Sequence, residues 1–179
     1  MNKSSGSLLP AVEIRPEKPK DHQGVYQVNR LAFGRTEEAD LVDTVRALNE
    51  DIIALVAAAG DEIIGHIMLT PVDVQYNPFS LVTMGLGPIA VTPEFQRFGI
   101  GSRLIRVGIN RCRIVGCQVI FVLGHSDYYP KFGFKPSSEI GCFYKSHDFD
   151  SHFFYLEVTP GAVSDLSGEV RYLPPFDDA

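Results

Sequence analysis

Gln96, Gly99 and Gly101 stand together in the run Gln96-Arg97-Phe98-Gly99-Ile100-Gly101-Ser102, just where an apolar, β-like stretch gives way to helical periodicity. Glycines at such a junction let main-chain N–H groups approach a ligand with no Cβ in the way. The first turn of a helix has unpaired N–H donors and the positive end of the helix dipole, which together suit phosphate. The dipole contributes about 0.3–1 kcal/mol, so several direct N–H bonds must supply the rest. Two glycines alone are read more readily as a turn capping a core helix. Charge shifts that balance. Between Phe95 and Ser126 the chain has five arginines (Arg97, Arg103, Arg106, Arg111, Arg113) and no acid, a net +5, whereas the other 147 residues sum to −11. A segment without acids beside a helix N-terminus favours a polyanionic ligand.

Other chemistry-bearing patterns are weaker. No Gly-x-x-x-x-Gly-Lys-Ser/Thr loop is present. Gly85-Leu-Gly87-Pro-Ile-Ala90 has the spelling of a dinucleotide fingerprint, but Pro88 and Ile89–Val91 continue a strand where that motif needs a helix. His125-Ser126-Asp127 holds the residue types of a hydrolytic triad, yet three consecutive residues cannot converge on one reacting atom. His147 and His152, with Asp148 and Asp150 between them, lack the spacing and the cysteine pair of a zinc site, so no metal is expected. Cys112 and Cys117 read as small core residues.

Gln96-x-x-Gly99-x-Gly101 resembles the acyl-CoA pyrophosphate loop of the GNAT superfamily of N-acetyltransferases. Upstream, Leu86–Val91 is similar to that family's fourth strand. Downstream, Cys117–Gly124 is similar to the fifth, and Tyr129-Pro-Lys-Phe-Gly133-Phe134 to its Tyr-x-x-x-Gly-Phe segment. The likeness runs from about Val12 to Val158.

That resemblance implies a set of roles. Main-chain groups of Ile89, Ala90 and Val91 would pair with the pantetheine arm of acetyl-CoA like an added strand. Gln96 and the amides of Arg97, Phe98, Gly99, Ile100, Gly101 and Ser102 would hold the pyrophosphate. Tyr129 falls on the position that often acts as general acid, although Tyr128 is adjacent and a packing role against Gly133-Phe134 is the alternative. The implied reaction is direct attack of a small-molecule or peptide amine on the thioester. It needs a neutral amine, a donor for the oxyanion and a proton for the thiolate. Candidates for the base are Glu37, Glu38, His66, His125 or a water relay. A non-catalytic acyl-CoA-binding module of the same fold is the alternative function, and a homodimer is a further expectation. An acetyltransferase acting on charged tRNA is disfavoured by the overall charge of −6.

The elements that must position these residues follow from periodicity. A short strand is expected at Val12–Arg15, and helices from Asp21 to Phe33 and from Glu37 to Asn49. Ile52–Ala59 and Glu62–Val74 read as a hairpin turning at Gly60-Asp61, followed by a strand at Leu81–Val91. The clearest helix is Gly99–Val115, with Gly101, Leu104, Ile105, Gly108, Ile109, Cys112 and Val115 on one stripe. Val119–Leu123 is a strand buried on both faces, Tyr128–Phe132 a short turn of helix, and Phe153–Val158 a late strand. Pro88 within a strand marks an edge or bulge. The order gives an α/β fold with a mixed sheet flanked by helices. By the resemblance it is the GNAT acyltransferase fold, splayed between its fourth and fifth strands.

Composition sets the outer limits. A chain of 179 residues, 45% hydrophobic and 21% charged, fits one domain, expected at 12–179 behind a flexible tail at 1–11. The acidic balance argues against a nucleic-acid binder. The apolar runs from Ile52 and Ile114 are too short for a membrane span. Three cysteines and no signal-peptide core point to a cytoplasmic protein.

Overall fold

The structure, a computed structural model, describes residues 10–48 and 51–178. The expected tail therefore lies largely outside the described residues, as does Asn49.

The first half of the chain builds one half of a sheet. β1 (Val12–Pro16) leads through a single 3-10 turn into α1 (His22–Phe33) and α2 (Glu37–Ala47). Asp21 sits at the start of α1 as expected, but its carboxylate does not cap the helix. It takes a two-pronged contact from Arg15 at 2.6 and 3.0 Å and accepts the Lys18 amide at 2.8 Å. Those donors hold its pKa down to about 2, with the Arg15 hydrogen bond outweighing the cost of burial.

β2 (Ile53–Ala59) and β3 (Glu62–Pro71) form the expected hairpin. The expected single run to Val74 divides, however. β4 (Asp73–Tyr76) leaves the main sheet and pairs with β10 (Ser167–Arg171), which also pairs with β8 (Cys142–Phe143). Val72 makes the corner, its amide and carbonyl both bonded to Thr83. β5 (Thr83–Val91), α3 (Ile100–Ile114), β6 (Val119–Leu123), β7 (Lys135–Pro136) and β9 (Phe153–Glu157) complete the set. The main sheet runs β1-β2-β3-β5-β6-β9-β7, antiparallel except for the β5–β6 pair. Because β4 belongs to the second sheet, the fourth and fifth strands of the expected order are β5 and β6.

Strand alternation sends side chains to two faces. Leu55, Ala57, Leu69, Ile120, Val122 and Phe154 face α3 and pack with Leu104, Ile105 and Cys112. Val56, Ala58 and Met68 face the opposite way, onto Val25, Val28, Val42 and Val45 of α1 and α2. On that same side, Val119, Phe121, Phe153 and Tyr155 meet the small sheet through Val74, Cys142 and Val170. So α3 covers one face, while α1/α2 and the small sheet divide the other between them. Among the described residues no helix is long and apolar enough to cross a membrane.

Candidate active site

The site grows out of one irregularity in β5. Thr83–Leu86 pair in parallel with Val119–Val122, and there the pairing ends, although β5 continues to Val91 against β3. Opposite Met68 the register jumps from Ile67–Ile89 to Leu69–Leu86, so Gly87 and Pro88 form a bulge on β5. The bulge expected from Pro88 is present. Beyond it β5 and β6 separate, leaving a cleft of about 680 Å³ through the sheet, with Leu123 and Gly124 on its other bank.

Hydrogen-bond alternation decides which β5 groups look into the cleft. The Thr92 amide bonds to the Ile64 carbonyl at 3.0 Å, so the next bonded pair along this antiparallel ladder is Ala90–His66. Ala90 thus spends its main-chain groups on β3, while those of Ile89 and Val91 point to the open edge. The pattern narrows the expected trio to two. Val91 is confirmed in this orientation by Gln96, whose side-chain amide donates to its carbonyl at 2.9 Å.

The loop after β5 reaches the same cleft at Gln96 and Gly101. Arg97 and Gly99 both adopt left-handed backbone (φ 65° and 82°), which turns the chain sharply into α3. The first backbone amide of this region to find a main-chain acceptor is that of Arg103, on Gly99 at 3.0 Å. The amides of residues 97–102 donate to no described main-chain carbonyl. Gly101, expected on the core stripe, instead faces the cleft: a Cβ there would lie 3.1 Å from the Tyr128 hydroxyl and within 4.0 Å of Ile89 and Val91. Val115, also placed on that stripe, is 60% exposed because the helix has ended.

The arginines are less concentrated than their spacing in the sequence implies. Arg111 and Arg113 lie in the last turn of α3, at the far end of a helix about 22 Å long. Arg103 donates to the Val12 carbonyl at 2.9 Å, and Arg106 lies over the Phe132 ring at 5.2 Å.

Tyr129 and Tyr128 both line the cleft, from the 3-10 turn Tyr129–Phe132 and the residue before it. Tyr129 is buried, its ring set edge-on to Tyr128 (5.3 Å) and Phe134 (5.7 Å) and close over Gly124. Burial, aided by the neighbouring Tyr128, pushes its hydroxyl up to about 12. Tyr128 is half-buried and reaches towards Gly101.

Of the four side chains considered for the base, Glu38 and His125 line the cleft. Glu38 accepts from Arg35 Nε through both carboxylate oxygens, at 3.1 and 3.0 Å. Glu37 lies on a different groove of α2, beside Asp40 and Pro174. His66 is fully buried beneath α1, with Asn29 Nδ2 3.2 Å from its Nδ1 and Glu17 3.4 Å from its Nε2. Burial lowers the His66 pKa despite Glu17. Glu17, which burial alone would raise, is held below its ordinary value by His66 and by Arg46 at 2.7 Å. That network joins α1, α2 and the sheet, and it does not reach the cleft.

The remaining cleft residues carried no signal in the sequence. Phe33, Arg35 and Leu41 come from α1, α2 and their junction, and Tyr144, Tyr172 and Phe176 from the C-terminal third. Only the fold brings them together.

The chain matches known proteins in both sequence and fold. The model of the acetyltransferase (GNAT) domain family matches residues 13–137, and the chain belongs to that family. It is 41% identical over 121 residues to the uncharacterized N-acetyltransferase YjhQ of Escherichia coli K12, an alignment spanning 65% of each protein. The uncharacterized N-acetyltransferase YhbS of the same strain is 27% identical over 165 residues, 92% of this chain and 98% of YhbS. The crystal structure of E. coli YhbS in complex with CoA superposes with a TM-score of 0.88 over 95% of both chains. A GNAT acetyltransferase from Brucella melitensis in complex with acetyl-CoA is 32% identical, with a TM-score of 0.77 over 93% of this chain and 99% of that one.

Proposed function

We propose that residues 12–179 act as one acetyltransferase domain that moves an acetyl group from acetyl-CoA to a primary amine by direct attack on the thioester. One observation carries this reading: the amides of residues 97–102, which donate to no described main-chain carbonyl, lead into Gly101, and Gly101 lines the same cleft as the open edge of β5 at Ile89 and Val91, with Tyr129 on its opposite bank. The residues fit the cosubstrate in kind. Amides at a helix N-terminus suit a pyrophosphate, the glycine at 101 leaves room that a side chain would fill, and a strand edge suits the two amides of a pantetheine arm.

In this mechanism Arg97–Ser102 bind the phosphates through their N–H groups. Ile89 and Val91 align the pantetheine arm, and Ala90 contributes its methyl group to the wall. The Ile89 amide, the first one available after Pro88, donates to the oxygen on which negative charge develops. Tyr129 donates a hydrogen bond to the departing sulfur. The amine loses its proton to Glu38, to His125 or to water, and the pH profiles of Glu38→Gln and His125→Gln separate these routes.

The test is a melting-temperature series with acetyl-CoA, CoA, ATP and NAD. A ligand at 100 Kd adds about 2.7 kcal/mol, which for a chain of this size raises Tm by roughly 5–10 °C. Both CoA compounds should do so. No shift with either would remove the reading, and a shift without thiol release on any amine would leave a binding module in place of an enzyme.

A further inference from the structure

The cleft opens on the face that α1/α2 and the small sheet share, and this end is where an acceptor must enter. Its walls are apolar and mostly aromatic. Phe33 and Leu41 stand on one side. Tyr144, Tyr172 and Phe176 form a contiguous wall, with successive ring centroids 5.6 and 5.2 Å apart, and Phe176 joins it to the α1/α2 side by packing on the cluster that includes Leu41. Phe33 is 41% exposed, a large ring at the end of α1 without full cover.

Charge at this end is balanced. Among the described lining residues only Arg35 and Glu38 carry a formal charge, and they cancel. The acids that give the chain its negative excess lie elsewhere; Glu37 and Asp40 of the same helix turn to another groove. The lining is therefore not an acidic surface of the kind that would draw in a cationic amine. A polycation would meet one carboxylate, already engaged.

Resting on the acetyltransferase reading, we infer that the acceptor is a small zwitterionic amine on a flat apolar body, of the class of an aromatic α-amino acid. Arg35 and Glu38 are three residues apart, with side chains 55% and 13% exposed, and the guanidinium meets the carboxylate through both Nε and Nη2. A singly charged ligand that opens the pair leaves one partner without a counter-charge. A zwitterion exchanges pair for pair: its carboxylate takes the planar fork of Arg35, and its ammonium takes Glu38 before the amine is deprotonated. The aromatic walls receive the body.

The experiment measures thiol release by the full chain with phenylalanine, phenethylamine and spermidine. Phenethylamine keeps the ring and the amine and lacks the carboxylate. Phenylalanine should exceed phenethylamine in kcat/KM at least tenfold, and spermidine by more. Arg35→Ala should raise KM for phenylalanine to the phenethylamine level, a loss at least fivefold larger than any it causes for phenethylamine through Glu38, and Arg35→Lys should restore part of the difference. Retention of the acetyl-CoA melting shift by both variants shows that they are folded. Equal or better turnover of phenethylamine or spermidine overturns the inference, as does an equal loss on both aromatic amines in Arg35→Ala. Acetyl-CoA binding with no turnover of any of the three also overturns it. Absence of acetyl-CoA binding by the native chain is the separate failure of the parent reading.

Discussion

Removing the Tyr129 hydroxyl tests the proposed chemistry most directly. The ring lies among Tyr128, Phe134, Phe154 and Gly124, and Tyr129→Phe keeps every one of those contacts. The variant should therefore fold with Tm within a few degrees of the native value. Its chemistry should change. A hydroxyl with a pKa of about 12 faces a departing alkyl thiolate, which is the weaker base of the two conjugates. Full proton transfer between them would run uphill. In the proposed chemistry Tyr129 would therefore work mainly as a neutral hydrogen-bond donor while charge builds on sulfur, a weaker role than complete general-acid transfer. Such assistance is worth roughly 10²–10⁴-fold, and the lower end, about 100-fold in kcat, is expected here. The same pKa carries a second consequence. Tyr129 stays protonated throughout the usable range, so no alkaline limb below about pH 10 should belong to it.

The assay is steady-state thiol release at saturating acetyl-CoA, measured from pH 6 to 10 for the native chain, Tyr129→Phe and Tyr128→Phe. An unchanged kcat in Tyr129→Phe removes Tyr129 from the chemistry. A larger loss in Tyr128→Phe transfers the role to the neighbour that reaches towards Gly101. An alkaline limb near pH 9 that vanishes in Tyr129→Phe would refute the argument from burial.

Three further outcomes follow from the geometry. Gly101→Val puts a branched side chain where a Cβ alone would already lie 3.1 Å from the Tyr128 hydroxyl, so the acetyl-CoA melting shift should fall by at least half with little change in the unliganded Tm. Asp21→Asn loses the Arg15 contact; a carboxylate at about 2 against 3.9 unfolded contributes about 2.5 kcal/mol at pH 7, seen in urea unfolding. Because its folded pKa is the depressed one, that contribution is present above about pH 4 and disappears as pH falls towards 2. His66→Gln, away from the cleft, should leave kcat within about threefold while lowering stability by roughly 1–3 kcal/mol, since Glu17 keeps Arg46 but loses the group facing its Oε2. The native chain should also weaken as pH drops below about 6.5, since burial lowers the His66 pKa and the unfolded chain takes up the proton first.

How much of this was legible in the sequence depended on whether a feature was local. α3 and β6 could be read almost to the residue, because an apolar stripe and a continuous β-branched run are signals written in neighbouring positions. The turn from Gln96 into the helix at Ile100 was legible for the same reason. β4 was misread as part of β3, since nothing in Val72-Asp73-Val74 shows that its partner lies near residue 170. Asp21 stood where a capping residue should, but Arg15, six residues away across a turn, outcompetes the helix amides for its oxygens. The aromatic lining of the cleft was invisible, because Phe33 and Phe176 come to line one cleft only through the fold.

The bulge at Gly87-Pro88 explains why these separate features serve one cleft. A strand held on both edges cannot offer main-chain groups to a ligand, and a strand released on both would not hold its place. Pro88 has no N–H to give to either neighbour, and the extra residue it shares with Gly87 shifts the hydrogen-bond phase of β5 by one position. After that shift Ala90 and Thr92 bond to β3 while Ile89 and Val91 turn outward. Had the register run on unchanged from Leu86, the outward pair would have been different, and the side chains of Ile89 and Val91 would have exchanged faces. The same irregularity that parts the sheet thus also selects which amides line the opening and keeps β5 anchored while they do so.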